Sequence, residues 1–216
     1  MNLEGALVLS VNVSGAQTIQ HRGNWIKTGI FKAPVEGPVL LADAHLRGDV
    51  QADLKVHGGI ERAAYAYAEE DYRWWQDRLG MTLPFGKFGE NFTLRGVDIN
   101  GALIGERWQI GRAVVQVTSP RIPCYKLGIA MKDQKFVKRF AEALRPGAYL
   151  RIIQEGEVAA GDPVDVIWKP DQKLTLKEMT RIYMFERDKI GDVLVPELPE
   201  DWREWVLAET TSSSRA

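Results

Sequence analysis

The residues best equipped for chemistry lie in Ser119-Pro120-Arg121-Ile122-Pro123-Cys124-Tyr125-Lys126-Leu127, which holds the only cysteine of the chain. Pro120 and Pro123 fix the backbone ahead of that cysteine. Proline locks φ and lacks an N–H, so the stretch reads as extended or turning chain rather than helix. Arg121 and Lys126 flank the thiol. Nearby positive charge favours the thiolate, the form that attacks electrophiles and binds metals. Two readings therefore stand side by side: Cys124 as a small buried hydrophobe, or Cys124 as a nucleophile or metal ligand.

Two further stretches carry polar groups among glycines. In Lys55-Val56-His57-Gly58-Gly59-Ile60-Glu61-Arg62, the double glycine permits positive φ or close backbone approach. His57 and Arg62 bracket it. In Phe88-Gly89-Glu90-Asn91-Phe92, the side chains of Glu90 and Asn91 suit either a turn or a site. A Cys124/His57 nucleophile–base pair has the right residue types, with geometry left to the tertiary fold. Lys27, Lys32, Arg62, Arg121 and Lys126 lie in or beside these Gly/Pro-rich loops. Cations with free backbone N–H groups are what an anionic cofactor requires. Lys32 reads as a solvated surface charge.

Composition excludes several classes. The chain has 216 residues, 45% hydrophobic and 26% charged, with 28 basic and 29 acidic residues and a formal charge of −1. No global field favours nucleic acid or an anionic membrane. One cysteine leaves no disulfide framework and no cysteine-clustered metal site, and it suits a reducing cytoplasm. His21, His45 and His57 show no zinc-ligand spacing. No Gly-x-Gly-x-x-Gly or phosphate-loop lysine motif follows a strand. The N-terminal residues lack a basic stretch followed by an apolar run, so no signal peptide is expected. No apolar run approaches the ~20 residues of a spanning helix.

The elements that must position these groups are mainly strands. Strands are expected over 6–13, 25–31, 39–41, 63–67, 92–94, 149–153 and 164–167, with a hairpin over 108–118 turning at Gly111. Residues 14–24 read as a loop. A helix follows Glu69, with Tyr72, Trp75 and Leu79 on one face and Gly80 at its end. Another carries Phe136, Val137, Phe140, Ala141 and Leu144, with Asp133 as its cap. Cys124 thus follows a strand's C-terminal end, where site residues sit on rigid scaffolds. Past Trp168 the pattern turns helical, starting from a Thr175–Glu178 capping box, with further helices at 188–194 and 199–209. Residues 211–216 read as a disordered tail.

The three motifs in this order resemble the MOSC family, named for the C-terminal domain of molybdenum cofactor sulfurase. The likeness spans roughly residues 25 to 167. The helical end resembles the 3-alpha domain of the bacterial 6-hydroxylaminopurine reductase-like branch. The resemblance implies an α+β, mainly β fold: a barrel-like MOSC domain over 1–168 with peripheral helices, then a small three-helix domain over 169–210. It implies a molybdenum cofactor of the molybdopterin type, its metal held by one thiolate, which Cys124 matches. His57, Gly58, Gly59, Arg62, Asn91, Arg121 and Lys126 match positions lining the cofactor pocket, and Lys27 and Thr28 are carried over with them. The length leaves no room for the pyridoxal-phosphate domain of complete sulfurases. The implied activity is reduction of N-hydroxylated compounds such as hydroxylaminopurines or amidoximes. The chain has no flavin or iron–sulfur signature, so a separate redox protein would be the electron donor. A non-redox cofactor carrier or sulfur-transfer module, and a metal-free thiol enzyme using Cys124 with His57, remain alternatives.

Overall fold

The computed structural model describes residues 5–52 and 58–213. The strands are β1 (Leu7–Val13), β2 (Gln17–His21), β3 (Asn24–Thr28), β4 (Ala33–Pro34), β5 (Val39–Ala42), β6 (His45–Leu46), β7 (Ala64–Ala68), β8 (Phe92–Arg95), β9 (Arg107–Ile110), β10 (Ala113–Pro120), β11 (Ala148–Gln154), β12 (Gly156–Val158) and β13 (Val164–Trp168). The helices are α1 (Glu69–Leu79), α2 (Tyr125–Ala130), α3 (Phe136–Ala143), α4 (Leu176–Phe185) and α5 (Glu200–Ser213), with 3-10 turns at Ile60–Arg62 and Arg187–Val193. None of the described helices is long and apolar enough to cross a membrane.

The main sheet runs β13-β9-β10-β11-β7-β8-β1-β4. It closes on itself. Val8 N–H donates to the Asp162 carbonyl at 2.9 Å and Val164 N–H to the Ala6 carbonyl at 2.9 Å, beside a Leu7–Pro163 bridge. These bonds satisfy backbone groups that an open edge would leave unpaired, so β13 through β1 form a barrel. The α+β, mainly β, barrel-like architecture is thus present.

β7 shows how sequence alternation builds two cores. Its residues are all buried. Side chains of successive strand residues point to opposite faces. Ala64, Ala66 and Ala68 join the barrel core with Trp108, Val117, Phe92 and Leu150. Tyr65 and Tyr67 join a second, aromatic core with Tyr72 and Trp75 of α1, Phe88, and Phe136 and Phe140 of α3. Small residues fit the barrel interior, and large rings fill the space under the peripheral helices.

Several local expectations need correction. Residues 14–24 are not all loop: β2 pairs with β3 in a separate hairpin, from Gln17↔Thr28 to His21↔Asn24. The alternation there is weak because the hairpin packs few of its side chains. The proline-stiffened stretch ends at Cys124, and Tyr125 opens α2. Asp133 lies before α3 rather than at its cap, accepting from the Lys135 N–H at 2.9 Å. The middle C-terminal helix is 3-10, over Arg187–Val193. α5 continues through Ser213, past the point where a disordered tail was expected. Thr175 does cap α4, accepting from the Glu178 N–H at 3.1 Å. Leu176, Met179, Ile182 and Val206 of the C-terminal helices are buried in the same core as the barrel.

Candidate functional site

β10 ends at Pro120, paired with Ala148 of β11. The next residues stay extended, and Cys124 (φ −126°, ψ 173°) is the last extended residue before α2. Its half-buried thiol opens on a cleft of about 660 Å³. Thr28, Arg62, Asn91, Arg121 and Lys126 line the same cleft. Five residues from four separate stretches thus meet the cysteine.

Other expected residues fall elsewhere. Lys27 is exposed and outside the lining, because it neighbours buried Thr28 in a strand and points the other way. Gly58 and Gly59 do not line the cleft. They shape the turn that presents Arg62: Gly59 has φ +95°, and its carbonyl accepts from the Arg62 N–H at 3.1 Å. His57 lies outside the described residues.

The structure adds residues that sequence reasoning missed. Gln51 clamps that turn. Its Oε1 accepts from the Gly59 N–H at 2.8 Å, and its Nε2 donates to the Arg62 carbonyl at 3.0 Å. Lys32 is no surface charge: it lines the cleft and pairs with Asp49, both side chains under 10% exposed. Burial lowers the Lys32 pKa despite that partner. Asp49 also accepts from the Ser14 N–H at 2.9 Å and from Asn91 Nδ2 at 2.9 Å. No local motif marks Lys32 or Asp49, whose pairing spans 17 residues of loop and strand.

Asn91 is engaged on every side. Besides Asp49, Nδ2 donates to the Asn12 carbonyl at 3.2 Å, and Oδ1 accepts from the Tyr65 N–H at 3.1 Å. It ties β1, β7 and β8 together beneath the cleft. Glu90 does not line the cleft. It is fully buried and accepts from Tyr72 Oη at 2.6 Å, Thr93 Oγ1 at 2.8 Å, and the N–H groups of Gly86 (2.6 Å) and Phe88 (3.2 Å). Burial raises its pKa.

Arg121 is the central cation. It is buried, donates to the Phe88 carbonyl, and lies 5.2 Å from the Tyr65 ring and 5.9 Å from the Phe140 ring. Among the described residues no carboxylate forms an ion pair with it. Burial alone would lower its pKa, but interactions with Tyr65, Tyr149 and Cys124 more than reverse this, so it stays charged. Tyr149, 5.3 Å from Tyr65 between ring centroids, lines the cleft too, and burial raises its pKa. Among the described residues, the lining carries Lys32, Arg62, Arg121 and Lys126 beside the carboxylate of Asp49, and Arg62 also pairs with Asp201 at 2.7 Å. Such a cleft favours an anion beside a soft sulfur ligand. Among the described residues no three His, Cys, Asp or Glu side chains cluster to hold a metal ion.

A family model described as the MOSC domain matches residues 53–165. The protein YflK of Bacillus subtilis is 32% identical over 207 residues, covering 94% of each chain. A Gibberella moniliformis protein named "Reductase" is 28% identical over 164 residues, 74% of this chain and 29% of its own length. The crystal structure of YiiM from Geobacillus stearothermophilus superposes with a TM-score of 0.78 at 29% identity, covering 94% of this chain and 98% of that one.

Proposed function

Since the chain belongs to the MOSC domain family, we propose that its cleft holds a molybdenum cofactor and that the protein reduces N-hydroxylated compounds of the hydroxylaminopurine or amidoxime kind. The observation carrying this reading is that Cys124 opens on the same cleft as Lys32, Arg62, Arg121 and Lys126. A thiolate suits a soft, dithiolene-bound metal, and the cations suit a pterin phosphate. The reductase name of the fungal relative supports the activity class.

In this reading each residue has a role. Cys124 Sγ is the metal ligand. Arg121, beside the Tyr65 and Phe140 rings, and Arg62, whose carbonyl is braced by Gln51, hold the anionic end together with Lys126. Thr28 Oγ1 already accepts from the Ile30 N–H at 3.2 Å, so its own O–H points to remaining acceptors. Tyr149, its pKa raised by burial, keeps its proton at neutral pH and so has an O–H to offer a ligand in the cleft. Bound there, the cofactor would supply the two-electron chemistry that removes oxygen from an N–O bond. The electrons come from a separate redox protein, and the protein works in the cytoplasm.

The test is molybdenum content, by mass spectrometry, of protein from a cofactor-competent host, together with turnover of an N-hydroxylated base. Near-stoichiometric metal that is lost in Cys124→Ala, with reduction in wild type only, is expected. Rapid alkylation of Cys124 in protein that takes up no molybdenum on reconstitution would overturn it in favour of a metal-free thiol enzyme. Metal bound without turnover would favour a carrier.

A further inference from the structure

We propose that the β2–β3 hairpin is the outer wall of the Cys124 cleft, and that His21 on its inner face is a specificity-determining residue that limits the bulk of what reaches the thiol. The hairpin meets the cleft at both ends. At its base, Thr28 closes β3 and lines the cleft, with Gly29 and Ile30 directly after it. At its tip, the His21 ring stacks on that of Tyr125, with centroids 5.3 Å apart and planes inclined by 21°. Tyr125 directly follows Cys124 in the chain. A five-residue strand is about 17 Å long, so the arch between these two contacts has that length.

The pairing register shows which side faces inward. Directly paired residues share a face of the hairpin, and faces alternate along each strand. Ile19 pairs with Ile26, and Gln17 with Thr28, so Ile19, His21, Ile26 and Thr28 lie on one face. All four are buried or half-buried, whereas Thr18, Gln20, Trp25 and Lys27 on the opposite face are exposed. Among the described residues, no barrel strand pairs with β2 or β3. A two-stranded hairpin by itself is marginal in water. Its stem is fixed by the Val50 N–H donating to the Ser14 carbonyl at 3.1 Å, and its tip rests on the His21–Tyr125 stack. An aromatic pair of this kind shifts an equilibrium by about two- to tenfold. A slim molecule passes beneath the stacked rings. A bulky one reaches Cys124 only by parting them.

As a filter on N-hydroxylated substrates, favouring flat rings over bulky substituents, the wall rests on the function proposed above. As a cover on the thiol it does not, since no metal takes part.

The experiment uses the full chain purified from a host that makes no molybdopterin. Cys124 is its only cysteine, so alkylation reports on one site. Rates are measured by mass spectrometry with iodoacetamide and with 5-iodoacetamidofluorescein, which carry the same reactive group and differ in bulk. His21→Ala should raise the rate of the bulky reagent relative to the small one by about two- to tenfold. His21→Phe, which restores a ring to the stack, should keep the wild-type ratio, and so should Trp25→Ala on the outer face. An unchanged ratio in His21→Ala, or equal acceleration of both reagents, overturns the wall and leaves the molybdenum reading standing. The expected ratios in a protein that takes up no molybdenum on reconstitution would keep the wall and remove the substrate class.

Discussion

Asn91 Nδ2 lies 2.9 Å from Asp49 Oδ2, a contact across 42 residues that joins the loop before the double glycine to the start of β8. Through it, Asn91 serves the cleft by organising its floor. Lys32 is held by the same carboxylate, so the pocket wall is one connected network of buried polar groups, each dependent on the others for its hydrogen bonds.

Asn91→Ala removes one acceptor and two donated bonds from this network. It leaves the Tyr65 N–H and part of Asp49 buried without partners. The expected cost is about 2–4 kcal/mol of folding stability. Chemical denaturation compared with wild type checks this, and a change under about 0.5 kcal/mol would contradict the network.

Arg121→Met should behave oppositely. A buried cation with no carboxylate partner among the described residues carries a desolvation penalty, and an apolar chain of similar length fits beside Tyr65 and Phe140. Stability should stay within about 1 kcal/mol of wild type, the unpaired Phe88 carbonyl offsetting the gain. Cofactor retention should fall sharply. Thermal melts and metal analysis of the same preparation read both effects.

Glu90 makes stability depend on pH in a definite sense. Burial raises its native pKa above the ordinary carboxylate value of 4.5. The native state then holds the proton more tightly than the unfolded state. The contribution is fully present below pH 4.5 and declines as pH rises from 4.5 through the raised native value. The stability difference between wild type and Glu90→Gln should therefore shrink as pH rises across that range. Urea melts at pH 4.5 and pH 8 test it. An unchanged difference would mean that Glu90 keeps an ordinary pKa.

Gly147 stands at φ +68° beside β11, and a Cβ there would lie 2.5 Å from the Ala66 carbonyl and 2.7 Å from Tyr65 Oη. Tyr65 is anchored by its hydroxyl to the Pro146 carbonyl at 2.7 Å. Gly147→Ala should cost about 2–3 kcal/mol and displace Tyr65 from beneath Arg121. Loss of near-ultraviolet tyrosine dichroism beyond the global destabilisation would report the displacement.

Much of the barrel was legible because its strands alternate or run apolar: β7, β8 and the β9–β10 hairpin lie where the pattern placed them. The β2–β3 hairpin was not. Only Thr28 among its strand residues is buried, so burial leaves no periodic trace there. The helical start at Tyr125 was hidden by the two prolines just before it. That Arg62, Asn91, Arg121, Cys124 and Lys126 line one cleft was legible because each lies within three residues of a Gly or Pro in a short motif. Lys32, Asp49 and Gln51 were not, because their roles depend on partners on other strands.

The sequence by itself determined the local matters: the strand periods, the rigid approach to Cys124, the positive-φ turn at Gly59 and the capping box at Thr175. Each is encoded within a few residues, through steric limits on φ and ψ or the alternation of side chains. Only the tertiary structure decided that Arg121 is buried among rings, that Lys32 pairs with Asp49, that Asn91 is consumed by its neighbours, and that Asp201 of the last helix reaches Arg62. These contacts join residues 17 to 139 positions apart. They exist because closing the sheet into a barrel brings separate loops together at one end, and no local pattern carries that closure.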